Sequence, residues 1–113
     1  MATSGDVVDL DLGAPAGREA GFRHAAVLVT AQRILDAQPS VVHVVPLTST
    51  IRSFHSEVVV EPHAANGLDV MSAAQCQHIR AVSPHRVISV RGNVGATLLT
   101  QLRETIAAIL DLP

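Results

Sequence analysis

The sequence has no tryptophan, tyrosine or lysine, a single cysteine and no long apolar run. With one cysteine the chain can form no internal disulfide and has no cysteine pair for a metal, so Cys76 is expected to be a buried thiol. The apolar runs stay well below the roughly 20 residues that cross a bilayer. The first residues lack the basic start and apolar core of a signal peptide. These absences predict a soluble cytoplasmic protein with no membrane partner.

The charges are few, and arginine alone carries the positive ones. All eight basic residues are arginine, and the net charge is −2. Arginine suits phosphate contacts, but an arginine-only composition is also typical of a GC-rich genome. A chain of this charge does not coat nucleic acid through bulk electrostatics, so any contact must be local. Only Phe22 and Phe54 offer rings on which bases can stack.

The histidines do not have the spacing of a metal site. None of the six forms a His-x-His or His-x-x-x-His pair. The glycines Gly17 and Gly21 precede an apparent strand rather than a helix, which disfavours a nucleotide-binding loop. We therefore expect no metal and no cofactor.

Alternation of apolar and polar residues predicts a chain made mainly of β-strands. Val8, Leu10 and Leu12 alternate with aspartates, which predicts a strand over residues 6–12. The residues between 31 and 39 form a polar connection with room for one helical turn. Further strands are predicted over residues 25–30, 41–47, 57–61, 70–76 and 79–82.

The end of the chain predicts one amphipathic helix. Apolar residues recur there at helical spacing, at Leu98, Leu99, Leu102, Ile106, Ile109 and Leu110. Five to seven short strands followed by one helix fit a strongly bent antiparallel sheet, or a partly open barrel, with the helix packed across it. A chain of 113 residues with 48% hydrophobic content is expected to form a single domain over residues 1–113.

The most informative segment is an apolar strand that ends in hydroxyls and an arginine. Residues 44–47 are apolar, and Thr48, Ser49, Thr50 and Arg52 follow almost at once. Hydroxyl and guanidinium groups at a strand end are suitable ligands for phosphate. This segment is the first candidate for a functional site.

The order of motifs along nearly the whole chain resembles the MazF/PemK family of toxin endoribonucleases. The motifs are the opening strand at residues 5–13, the Gly-Arg-Glu-Ala-Gly loop at 17–21, the strand that ends at Thr48, the stretch 72–82 and the closing helix. The resemblance implies an SH3-like small barrel, shared with the gyrase poison CcdB, that forms a homodimer. It also implies a toxin of a type II toxin-antitoxin system that cleaves single-stranded mRNA sequence-selectively without a metal. The implied partners are single-stranded RNA and an antitoxin with a disordered acidic tail.

The resemblance also implies which residues perform catalysis. RNA supplies its own nucleophile, the 2′-hydroxyl, so formation of a 2′,3′-cyclic phosphate requires only the movement of two protons and stabilisation of charge. In the family an arginine at the start of the second strand and the threonine after the third-strand proline do this. Thr48 fills the threonine position. His24 and Ala25 stand where the family has Arg-Pro, and Arg23 lies one residue earlier.

Three outcomes follow from this departure, because adjacent strand residues point to opposite faces. In the first, His24 acts as the general acid or base, since the ordinary pKa of histidine lies close to neutral pH. In the second, a shorter loop brings Arg23 into the cleft. In the third, the cleft has lost its catalyst and only binds its ligand. The further candidates for RNA binding are Arg18, Glu19, Phe22, Ser49, Thr50, Arg52, Ser72, Gln77 and His78. Arg80 is expected to brace the fold through a carboxylate.

Two other functions remain open. A family member that has lost its catalyst would serve as a binding module for an antitoxin or a partner toxin. A CcdB-like inhibitor of DNA gyrase rests on fold analogy alone.

Overall fold

A computed structural model describes residues 2–13 and 23–113. Within these residues seven strands and two helices follow one another in chain order, with 3-10 turns at Cys76–His78 and Pro84–Arg86. The strands are β1 Asp6–Asp11, β2 Arg23–Leu28, β3 Val42–Thr48, β4 Glu57–Val60, β5 Ser72–Gln75, β6 Arg80–Val82 and β7 Val87–Asn93. The helices are α1 Gln32–Asp36, between β2 and β3, and α2 Ala96–Ile109 at the end.

The strands form one antiparallel sheet in the order β4-β5-β3-β2-β1-β7, and β6 pairs with β3 beside β5. The register pairs Val8 with Ala26 and Leu10 with His24 between β1 and β2. Between β2 and β3 it pairs Ala26 with Pro46. Strand β3 therefore lies at the centre, with β2 on one side and both β5 and β6 on the other.

Each face of the sheet has its own hydrophobic core, because β1, β2 and β3 carry apolar residues on both faces. The helix face is covered by α2, whose Leu99 and Leu102 pack against Val27 and Val45 among others. The opposite face, which we call the cavity face, carries a second buried cluster. That cluster consists of Val8, Leu10, Ala26, Leu28, Leu35, Val42, Val44 and Val82.

The mainly β fold with a C-terminal helix, predicted from the sequence, is confirmed. The six predicted strands form, with ends that differ by up to two residues, and α1 supplies the helical turn between β2 and β3. Strand β7 was not predicted individually. Its pairing with β1 shifts register between Val7 and Val8 and again between Asp9 and Leu10, and most of its residues are exposed. Such a strand lacks a clean alternation of apolar and polar residues.

The sheet is open rather than closed into a full barrel, since its end strands β4 and β7 pair with one neighbour each among the described residues. No helix in the described part of the chain is long and apolar enough to cross a membrane.

Candidate active site

The register between β2 and β3 decides which of two adjacent residues shares a face with Thr48. Ala26 lies opposite Pro46, and extending this register by two residues sets His24 opposite Thr48. Residues directly opposite one another in an antiparallel pair point to the same face, and a shift of one residue reverses the face. His24 and Thr48 therefore lie on the cavity face. Arg23 lies on the helix face, directly opposite Asp11 in the register between β1 and β2.

A cavity of about 340 Å³ lies on the cavity face where β1, β2 and β3 meet the segment after β5. Its apolar wall comes from Leu10, Leu12, Val44 and Pro46. Its polar lining consists of His24, Gln75, His78 and Arg80. The cavity thus brings His24 and His78, two residues predicted from the sequence, into one space.

A bulge places His78 at this cavity. Between Val44 and Leu47, β3 has two residues, whereas the facing segment has five between Ala74 and Arg80. The extra residues form the 3-10 turn Cys76–His78, in which Cys76 is buried and His78 is exposed. A bulge of this kind re-aims side chains next to a site. Here it interrupts the pairing with β3 and presents the imidazole of His78 at the cavity rim.

Thr48 ends β3 beside the cavity rather than within its lining. Its Oγ1 accepts a hydrogen bond of 3.1 Å from the backbone N–H of Thr50. This contact is a local turn in which the hydroxyl is the acceptor, so its own hydrogen stays available for donation. Ser49 and Thr50 are exposed in the turn that follows.

A polar network that was not predicted from the sequence adjoins the cavity and centres on Glu57. Oε2 of Glu57 accepts from Arg52 Nη2 at 2.9 Å, from Gln77 Nε2 at 2.8 Å and from Gln75 Nε2 at 3.4 Å. The hydrogen bond from Gln77, followed by those from Arg52 and Gln75, lowers the pKa of Glu57 in opposition to burial, which raises it. Only 2% of the side chain of Glu57 is exposed. In the sequence Glu57 was visible only as the polar start of a strand.

The network has two consequences for the predicted RNA-binding residues. Gln77 is held by Glu57 and does not line the cavity. Arg52 pairs with Glu57 but keeps 41% of its side chain exposed, and its guanidinium lies 5.0 Å from the ring centre of Phe54. Stacking of this kind holds a planar cation at the surface, where it is accessible to phosphate.

Other predicted residues lie elsewhere. Ser72 is 5% exposed, points to the helix face in register with Val60, and donates its hydroxyl to the carbonyl of Val70. This position gives no support to the predicted role of Ser72 in RNA binding at the cavity. The predicted contacts of Arg18, Glu19 and Phe22 lie outside the described residues.

The expectation that Arg80 braces the fold through a carboxylate was wrong for the described part of the chain. The ion pairs among the described residues are Arg52 with Glu57 and Arg91 with Asp9, and Arg80 takes part in neither. Arg80 instead lies opposite Val44, on the cavity face, and lines the cavity. The chemistry that the site can support is therefore transfer of protons by imidazole beside a fixed positive charge.

Comparison with known proteins shows which family this chain resembles. The model of the family described as PemK-like, MazF-like toxin of type II toxin-antitoxin system matches residues 3–110. Endoribonuclease MazF9 of Mycobacterium tuberculosis is 32% identical over 116 aligned residues, which cover 99% of this chain and 98% of that relative.

Solved structures share the fold at lower identity. A MazE-MazF structure from Deinococcus radiodurans has a TM-score of 0.81 at 20% identity, with 99% of this chain and 97% of that chain covered. A mycobacterial endoribonuclease in complex with its cognate antitoxin has a TM-score of 0.76 at 18% identity, with 100% and 98% covered. On the family match and the full-length relative, this chain belongs to the PemK-like, MazF-like family of toxins of type II toxin-antitoxin systems.

Proposed function

We propose that this chain is an endoribonuclease that cleaves single-stranded mRNA at selected sequences, without a metal ion, and acts as a homodimer in the cytoplasm. The supporting comparison is the relative named as an endoribonuclease, which aligns over nearly the full length of both chains. The observation that carries the proposal is the cavity lined by His24, His78 and Arg80 on the face that Thr48 shares.

The proposed reaction begins with attack of the RNA 2′-oxygen on the adjacent phosphorus. It yields a 2′,3′-cyclic phosphate and a 5′-hydroxyl, so the protein must move protons and stabilise charge on the phosphoryl oxygens. His24 transfers a proton, and Thr48 donates its hydroxyl hydrogen to a non-bridging oxygen. Arg23 takes no part, because its side chain lies on the other face of the sheet.

A second, apolar hollow supports the proposed homodimer. It measures about 310 Å³ and is lined by Ala2, Val8, Leu28, Val42, Pro84, Val87 and Val90. Val90 pairs with Val8 on the cavity face and is half exposed. Apolar surface of this kind is typical of a protein interface. A second copy of the chain bound there would extend the cavity that His24 and His78 line into a groove. An antitoxin with a disordered acidic tail would bind in that groove beside Arg52 and Arg80.

Incubation of the purified chain with a long unstructured RNA in EDTA tests the proposal. We expect discrete fragments that carry 2′,3′-cyclic phosphate ends, and an RNA that stays intact would contradict it. His24→Ala should lower the cleavage rate by about 10²- to 10⁴-fold, the usual contribution of one proton-transfer group. Arg23→Ala is the matched control and should retain the rate; the opposite pattern would assign the role to Arg23.

The departure at positions 24 and 25 favours one alternative, a binding module that has lost cleavage and engages an antitoxin or a partner toxin. Under this alternative the unchanged chain leaves RNA intact. The double change His24→Arg with Ala25→Pro should then produce cleavage and toxicity that the unchanged chain lacks.

A further inference from the structure

We infer that His24 and His78 act together as the two proton-transfer groups of the cleavage site, with Arg80 holding the phosphate between them. This inference rests on the proposed function. Its basis is that both imidazoles and the guanidinium line one cavity of about 340 Å³ whose remaining wall is largely apolar.

The spacing of the two histidines suits a phosphodiester group. His24 lies on β2, and His78 comes from the bulge on the far side of β3, so one strand separates them. Strands on either side of a central strand lie about 10 Å apart, and this sets the separation across β3. Both imidazoles line the cavity between these positions, and a phosphodiester group fits within its volume of about 340 Å³.

The charges around the cavity complete the site. Arg80 lies opposite Val44 on the cavity face, next to the bulge that carries His78. Leu10 of β1 and Leu12, just after β1, also line the cavity and carry no charge. From β5 it is faced by Gln75, which hydrogen-bonds Glu57, and that carboxylate is paired with Arg52. The guanidinium of Arg80 is thus the charged group that lines the cavity among the described residues, and it suits an anionic phosphate.

The two imidazoles divide the two proton transfers. One imidazole, unprotonated, takes the hydrogen of the 2′-hydroxyl as the 2′-oxygen forms its bond to phosphorus. The other, protonated, gives its hydrogen to the 5′-oxygen as the bond between phosphorus and that oxygen breaks. After cleavage the first imidazole carries a proton and the second does not. Proton exchange with water then restores the starting state.

Rates of RNA cleavage measured from pH 5 to pH 9 test the pair in the full-length chain. The unchanged chain should give a bell-shaped profile, since the base must be unprotonated and the acid protonated. His24→Gln and His78→Gln should each lower the rate by about 10²- to 10⁴-fold. One variant should lose the decline at low pH and the other the decline at high pH. His85→Gln, a histidine that does not line the cavity, is the matched control and should keep the full profile.

A second substrate identifies the acid. When sulfur replaces the bridging 5′-oxygen at the cleaved linkage, the leaving thiolate needs no proton. The variant that lacks the acid should then recover to near the unchanged rate, and the other variant should not.

Two results would overturn the pair while leaving the proposed nuclease in place. One is cleavage by His78→Gln at the unchanged rate and with the unchanged pH profile. The other is loss of the same limb of the profile in both variants. Failure of the unchanged chain to cleave any RNA would overturn the proposed function and the pair together. Because His78 is exposed, the fold should survive its replacement, and circular dichroism of each variant checks this.

Discussion

Replacing Leu102 with alanine tests the packing that holds the sheet against α2. The side chain of Leu102 is 0% exposed, in the cluster that also contains Val27, Val45 and Cys76. Removal of a fully buried leucine side chain to alanine costs about 2–5 kcal/mol, because transfer energy is lost and a cavity remains. We take about 3 kcal/mol as the expected loss in the free energy of unfolding.

The expected change in melting temperature follows from the length of the chain. An unfolding entropy of about 2.1 cal/mol/K per residue gives roughly 0.24 kcal/mol/K for this chain, so a loss of about 3 kcal/mol lowers Tm by roughly 12 °C. Thermal unfolding followed by circular dichroism, at one fixed protein concentration, measures this shift. Leu110→Ala, at the residue that directly follows α2, is the matched control. Leu110 is 56% exposed, and its replacement should cost less than about 0.5 kcal/mol.

The difference between the Tm shifts of the two leucine variants tests the packing of α2. Equal shifts for Leu102→Ala and Leu110→Ala would refute the assignment of α2 to the core of the helix face. A shift below about 4 °C for Leu102→Ala, which corresponds to about 1 kcal/mol, would do the same.

Three further predictions concern other parts of the structure. Asn66→Ala removes hydrogen bonds to His63, Glu61 and Leu68 and should cost about 2–3 kcal/mol, measured by urea unfolding; a cost under about 1 kcal/mol would contradict the role of Asn66 in fixing this loop. Because the pKa of Glu57 is lowered in the folded chain, its contribution to stability is present above the ordinary carboxyl pKa and is lost as pH falls through the folded value. Glu57→Gln should therefore reduce the loss of Tm between pH 6 and pH 3, and an unchanged difference would argue against the network. Burial raises the pKa of the Cys76 thiol to about 11, so a thiol reagent at pH 8 should label it slowly until urea unfolds the chain; rapid labelling of the folded chain would show that the thiol is accessible.

Much of the fold could be predicted because β1, β2 and β3 carry a strong apolar signal. The alternation in residues 6–12 and the apolar runs before Leu28 and Thr48 reflect burial that the structure confirms. Strand β7 was hidden because it is exposed and irregularly paired, so its residues show no single period. A signal that comes from burial is weakest where burial is least.

The site was harder to predict, since it depends on which residues lie opposite one another. Adjacent positions such as Arg23 and His24 differ only by face, and face depends on pairing with β3, which local sequence does not encode. The bulge at Cys76–His78 likewise exists only relative to β3. Glu57 was missed because its partners come from two other places in the chain, Arg52 from the segment before β4, and Gln75 and Gln77 from the end of β5 and the 3-10 turn after it.

The burial of β2 on both of its faces restricts how mutation can alter this chain. Ala26 and Val27 are both 0% exposed, so sliding β2 by one position would exchange the contents of the two cores. Insertions or deletions in the connection between β1 and β2 change the length of that connection, but they leave His24 at the same place on the sheet. Arginine can therefore reach this point on the cavity face by replacement at position 24 or by a bulge within β2, but not by a change in the length of the connection alone.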